Sequence, residues 1–172
     1  MSDRLGTDLQ LGPLVATAAD ELCLARVEAC VRATLDYFRK DHGSARPERI
    51  AADRLGEPLA DDRLRLYLLA DPEGAPAGLL ELALAIPEPG EATVALLVIA
   101  RRLRSRGLGT QVARALFSVL AAGGYARVRL GVARGEDGAA RFWSSLGMWQ
   151  HSVEDGVRLF ELDLEAARRK AG

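Results

Sequence analysis

The segment Arg104-Ser105-Arg106-Gly107-Leu108-Gly109-Thr110 carries the most chemistry in this chain. It lies between an apolar run, Val94 to Ala100, and an amphipathic stretch, Gln111 to Leu120, so it reads as a strand, a glycine turn and a helix start. A helix start leaves backbone N–H groups without partners and carries a partial positive charge, which suits an anion and above all a phosphate. Glycine serves there because a main chain wrapping phosphate oxygens needs positive φ and no Cβ in the way. Arginine supplies four of the six residues from Arg101 to Arg106, a concentration of charge that a plain connecting turn does not require.

Two common phosphate motifs do not match. A P-loop places Gly-Lys-Ser/Thr after four intervening residues, yet no lysine occurs between Lys40 and Lys170. A dinucleotide fingerprint wants a third glycine or alanine where this chain has Val112, and an acidic residue further on where it has Arg127 and Arg129. What remains is Arg-x-x-Gly-x-Gly, from Arg104 through Gly109, behind an apolar strand.

The elements that position this turn are legible as patterns. Residues 9–16 read as a first strand, and Ala19 to Lys40 carries apolar residues close to helical period, as a helical hairpin or one long bent helix. A short helix around 47–55 is flanked by loops that hold His42, Gly43, Pro58 and Asp61-Asp62, where an entrance for a second substrate could form. Alternation from Leu64 and a run from Gly78 to Ile86 give an antiparallel hairpin, followed by a strand from Ala92 to Ala100. After the turn come a helix to about Leu120, ended by Gly123-Gly124, a strand Ala126–Ala133, a helix Glu136–Leu146 and strands near 148–153 and 157–163. Residues 165–170 read as a solvated tail.

Composition bounds the rest. A chain of 172 residues with 27% charged residues suits one globular domain, and a net charge of −1 offers no global field for nucleic acid. Cys23 and Cys30 are about 10 Å apart along a helix axis, too far to bond each other, so both are expected reduced. No zinc-like ligand spacing occurs, so no metal is expected. Without a signal-like or membrane-spanning apolar stretch, a cytoplasmic protein with no membrane partner is expected.

The Arg104 to Gly109 signature resembles the acetyl-coenzyme A signature of the GNAT superfamily of N-acetyltransferases. Residues Ala139 to Met148 (Ala-Ala-Arg-Phe-Trp-Ser-Ser-Leu-Gly-Met) are similar to that family's Ala-x-x-aromatic-aromatic-x-x-x-Gly-Phe ending of its fourth helix. The order of elements matches over roughly residues 8–164. The resemblance thus implies a single acetyltransferase domain there, an α/β fold with a mixed, mostly antiparallel central sheet and flanking helices.

By position, the resemblance implies that amides from Arg106 through Gly107, Leu108 and Gly109 to Thr110 bind the pyrophosphate of coenzyme A, with Arg104 and Arg106 adding charge-assisted bonds. It implies that Leu97, Val98 and Ile99 hydrogen-bond the pantetheine arm, with Phe142 beside the coenzyme. The Ile99 N–H then faces the thioester carbonyl as oxyanion donor, a role whose loss typically costs about 2.7–4 kcal/mol. The side chains of Leu97 and Ile99 are equally core residues.

An amine attacks a thioester only when neutral, so a base must take its proton. The family's usual glutamate corresponds here to Thr93, which is no base. Glu81, alone among leucines on its strand, is the first substitute, with an outward-facing glutamate the plain alternative. His151 in the last hairpin is the second, and a surface histidine is its plain alternative. His42, Tyr37 and Asp36 are expected to line the amine pocket, although an amphipathic helix supplies such residues anyway.

Two departures bear on rate: Trp143 stands where the family often has a thiolate-protonating tyrosine, and Glu136 where it often has asparagine. The leading expectation is an acetyl-coenzyme A-dependent N-acetyltransferase acting on a primary amine of a small molecule or peptide, forming a homodimer. The alternative is a catalytically silent acyl-coenzyme A-binding sensor.

Overall fold

A computed structural model describes residues 5–42 and 46–171, with side chains described up to Lys40 in the first segment and Ala167 in the second. Its centre is one eight-stranded sheet in the order β1-β2-β3-β4-β5-β6-β8-β7. The strands are β1 (Asp8–Leu11), β2 (Leu14–Ala18), β3 (Leu64–Ala70), β4 (Pro76–Leu84), β5 (Glu91–Ile99), β6 (Arg127–Ala133), β7 (Trp149–Glu154) and β8 (Val157–Asp163). All neighbours are antiparallel except β5 and β6, as the α/β expectation required.

Helices cover both faces. On one, α1 (Leu24–Ala33), α2 (Leu35–His42) and α3 (Pro47–Ala60) close a core of Val27, Val31, Phe38, Ile50 and Leu55 against Leu66, Leu68, Leu79, Leu96 and Val98. On the other, α4 (Leu108–Ala122), α5 (Asp137–Ser145) and the start of α6 (Leu164–Ala171) pack Val112, Leu116, Leu120 and Trp143 on Leu80, Leu82, Val94, Val128 and Leu130. Each such fully buried aliphatic side chain contributes about 1.5–3 kcal/mol.

Three sequence expectations are corrected, and one that left two alternatives open is refined. The strand over 9–16 is a hairpin, because Gly12 at φ +64° turns the chain between Leu11 and Leu14. The apolar stretch before Lys40 is two helices, since Thr34 turns its Oγ to the Cys30 carbonyl at 2.8 Å and ends α1. The helix from Pro47 runs through Gly56 to Ala60, and Pro58 in its last turn gives up one i→i−4 bond without ending it earlier. Finally, the expected tail at 165–170 belongs to α6, which docks through buried Leu164. Among the described residues, no helix is long and apolar enough to cross a membrane.

One irregularity matters most. Glu81 pairs with Leu96 and Leu82 with Val94, so Ala95 is an extra residue in β5. A bulge of this kind reverses which face successive side chains take. Ala92 and Val94 point to the α4 and α5 side, whereas Leu96 and Val98 point to the α1 and α3 side. The β5–β6 ladder ends at the same place, with Val94 opposite Leu130 as its last pair. Beyond it the strands diverge, leaving one edge of β5 open from Ala95 to Ile99.

Candidate active site

The open edge of β5 is a row of main-chain groups. Ala100 N–H donates to Ala77 O at 2.7 Å, and in an antiparallel pair the bonded residues recur every second position. Val98 and Leu96 therefore turn their amides to β4, and Leu97 and Ile99 turn theirs to the gap. This takes the Val98 amide out of the expected pantetheine ladder and leaves Leu97 and Ile99 in it. The gap is a cavity of about 180 Å³ between the diverging strands, bounded by Ala95, Leu96 and Leu97 on one wall and Gly131, Val132 and Ala133 on the other. Tyr37, Lys40, Glu136 and Trp143 close it.

Past Ile99 the chain makes one turn of 3-10 helix, Arg101–Leu103, before it enters the glycine turn. Ser105 and Gly107 are both left-handed, at φ +64° and +71°, and Gly107 is the N-cap of α4. The first intrahelical bond of α4 is Gln111 N–H to Gly107 O at 3.2 Å, and no side chain caps the helix. The amides of Leu108, Gly109 and Thr110 are accordingly the unpaired donors of a helix start. A second cavity of about 250 Å³ lies before them, lined by Ile99, Arg104, Ser105, Gly107, Gly109, Thr110 and Phe142. Phe142 sits over Gly109, where an added Cβ would stand 3.5 Å from its ring. Of the residues that the motif singled out, Ile99, Arg104, Gly107, Gly109, Thr110 and Phe142 share this cavity, and Leu97 lines the gap between the strands.

The arginine cluster is only partly a ligand device. Arg102 donates to Asp71 at 2.6 Å and to Pro76 O at 3.1 Å, which ties the turn after β5 to the β3–β4 connection. That guanidinium holds the Asp71 carboxyl below its ordinary range. Arg104 donates through Nε to Ile99 O at 2.7 Å and through Nη1 to Asp36 at 2.6 Å. Arg101 and Arg106 are exposed and have no side-chain partner among the described residues. Arg106 remains available to a bound anion.

The two candidate bases, Glu81 and His151, line neither cavity. Glu81 faces α3 beside the bulge, where its Oε2 receives Arg54 Nη1 at 2.9 Å and its buried Oε1 has no hydrogen-bond partner among the described residues. Burial raises the Glu81 carboxyl above its ordinary range, and the pull of Arg54 offsets this only in part. His151 is the extra residue of a bulge in β7, with Nε2 4.0 Å from Glu161 Oε2 and its ring edge-on to Trp149. Thr93 spends its hydroxyl on Ile86 O at 2.8 Å. The side chain of His42 lies outside the described residues. Cys23 and Cys30 are buried and unbonded to each other, and burial raises the Cys30 thiol, which disfavours it as a nucleophile. Among the described residues, no group of three or more histidine, cysteine or carboxylate side chains could hold a metal ion.

Sequence reasoning missed two ion pairs. Asp36 and Lys40 lie one helical turn apart on α2; Asp36 reaches Arg104, and Lys40 reaches Glu136 at 3.7 Å. The i, i+4 spacing was visible, but their partners lie 68 and 96 residues away along the chain.

Comparison with known proteins agrees with this geometry. A search of curated proteins by sequence finds no match. Among solved structures, an acetyltransferase from Thermus thermophilus superposes with a TM-score of 0.77 at 22% identity, covering 90% of this chain and 99% of that one. The RimL ribosomal alpha-N-protein acetyltransferase in complex with coenzyme A gives 0.72 at 14% identity, over 92% and 99% of the two chains. A dodecameric spermidine N-acetyltransferase from Vibrio cholerae gives 0.66 at 14% identity, over 93% and 99%. At such identities the likeness is one of fold. The model of the acetyltransferase (GNAT) family matches residues 27–148, which include the diverging strands, the glycine turn and α5, and the chain belongs to that family.

Proposed function

We propose that this enzyme moves an acetyl group from acetyl-coenzyme A to a primary amine of a small molecule or peptide, by direct attack of the amine on the thioester. The observation that carries the reading is the nearness of two sets of donors: the open edge of β5 at Leu97 and Ile99 ends, at Ile99, in the same cavity that the unpaired amides at the start of α4 border. The turn amides suit the coenzyme's diphosphate, and Arg106 adds charge from the rim. The β5 edge suits the amide-bearing arm, which would extend the sheet by main-chain bonds. Bound coenzyme supplies an activated acyl carbon, and everything else is done by the protein. Ile99 N–H donates to the carbonyl oxygen as negative charge develops there. Glu81 accepts the amine's proton through water, and its elevated basicity suits that task. His151 is the second base.

The test is release of free thiol from acetyl-coenzyme A across an amine panel, read beside calorimetric binding of coenzyme A. Turnover with at least one amine is expected. Binding without turnover favours a silent acyl-coenzyme A sensor, a reading to which Trp143 and Glu136 lend weight. Absence of binding at millimolar coenzyme removes both. A homodimer is the proposed assembly, and elution as a monomer at micromolar concentration would remove it.

A further inference from the structure

Thioester aminolysis moves a proton from nitrogen to sulfur, and a group beside the sulfur that holds a proton as the C–S bond breaks speeds the step. On the transfer reading above, on which this inference rests, that bond lies in the gap between β5 and β6. Among the described residues, the side chains with polar hydrogens or charge that line the gap are Tyr37, Lys40, Glu136 and Trp143. An indole N–H donates hydrogen bonds but is no acid. Lys40 and Glu136 face each other at 3.7 Å, both more than half exposed. We infer that the phenol of Tyr37 is the general acid that protonates the departing thiolate.

The fold arrests Tyr37 there. Asp36 is tied to Arg104, in the segment that follows β5, by contacts of 2.6 and 3.3 Å. Lys40 is tied to Glu136, in the segment that follows β6. One short helix is therefore fastened to the continuation of each diverging strand, and Tyr37 lies between the two ties. Phe38, fully buried, anchors the inner side of the same helix, with its ring edge-on to that of Tyr37 at 5.3 Å. Asp36 and Lys40 are positioning residues in this arrangement.

The step balances. The amine lone pair forms the new N–C bond at the acyl carbon, the C–S pair leaves with sulfur, and the Tyr37 O–H proton goes to sulfur. The proton that the attacking nitrogen loses to Glu81 passes on through water to the tyrosinate, which restores both the carboxylate and the phenol. Products are a neutral amide and a neutral thiol. A phenol, with an ordinary pKa of about 10, stays protonated at neutral pH and is available for each turnover.

The experiment is Tyr37→Phe, which keeps the ring and its packing. With an amine that the wild type acetylates, kcat is expected to fall about 10- to 100-fold, while the coenzyme A Kd and the amine KM stay within about two-fold. The wild-type kcat is expected to decline at alkaline pH, and Tyr37→Phe to lose that limb. Fluorotyrosine at position 37 moves the limb to lower pH, a shift that a packing role alone does not produce. A Tyr37→Phe enzyme within about two-fold of wild-type kcat at every pH overturns the assignment. A wild type that binds coenzyme A yet turns over no amine overturns the transfer reading and this inference with it, and that outcome is distinct from the previous one.

Discussion

Replacing Gly78 with alanine tests whether the open edge of β5 is set by how closely β4 approaches it. Gly78 lies opposite Ile99 at φ +156°, and an added Cβ would stand 2.1 Å from Val98 O, 3.1 Å from Val98 C and 3.2 Å from Ile99 Cα. Real Cβ contacts essentially never fall under 3.0 Å, so the main chains must separate by most of an ångström. Neighbouring strands are spaced only about 4.7–4.9 Å apart, and this one has no flexible side chain to yield instead. The steric term should reach about 3 kcal/mol, the upper end of ordinary overpacking. For a chain of this size that is a fall of roughly 6–12 °C in Tm. Because the displaced residues are Val98 and Ile99, coenzyme A affinity should weaken together with stability. Gly56→Ala is the matched control: nothing lies within 4 Å of its Cβ, and it sits inside α3. That change should raise stability by roughly 0.5–1 kcal/mol and leave coenzyme binding alone. Thermal melts and calorimetry on the two variants decide the matter, and a Gly78→Ala protein with unchanged Tm and Kd refutes the reasoning.

Two further perturbations probe the turn and the base. Gly107 holds φ +71° with open space around its Cβ, so Gly107→Ala meets a conformational cost of about 1–2 kcal/mol without a clash. Relief of that strain turns the following amides aside, so coenzyme A should bind up to about ten-fold more weakly by calorimetry, and Gly107→Asn should recover much of it. Glu81→Gln should lower turnover by about 10²–10⁴ with coenzyme affinity unchanged, measured by thiol release. Its stability effect has a definite sign. Because the folded carboxyl lies above its unfolded value, the folded chain binds that proton more tightly, and wild-type stability falls as pH rises from the ordinary carboxylate range through the raised value. The glutamine variant lacks this slope, so melts compared at acidic and neutral pH should show the variant gaining on the wild type as pH rises.

The fold was legible wherever side-chain period and turn chemistry agreed. The strand, glycine turn and helix from Val94 to Leu120 announced themselves, because Gly107 must be left-handed and Val112, Leu116 and Leu120 repeat at helical spacing. The α6 helix escaped because, among its described side chains, only Leu164 is buried, so the remaining residues read as a polar tail. The free amides at the start of α4 follow from the motif, whereas the turning of the Val98 amide to β4 depends on a register that the letters do not show. What the sequence did not disclose was which arginines remain for a ligand. Arg102 and Arg104 look identical to Arg101 and Arg106 as letters, and only the fold brings Asp71 and Asp36 to the first two.

Ala95 explains why this site exists where it does. A strand of uniform register would keep β5 bonded on both edges, with every amide between Ala95 and Ile99 consumed by β4 or β6. One additional residue lets Val94 finish its pairing with Leu130 while Leu96 resumes pairing with Glu81 on the other side. The same residue reverses the faces, so Leu97 and Ile99 pack toward α4 and α5 while Leu96 and Val98 seal the α1 and α3 core. The apolar side chains that sequence patterning identified as core are thereby the ones whose main-chain groups face the gap. Core packing and ligand binding do not compete at Leu97 and Ile99, because the side chain serves one and the peptide the other. The polar side chains near the gap are consequently few and borne by α2 and by α5 and its N-cap, not by the sheet.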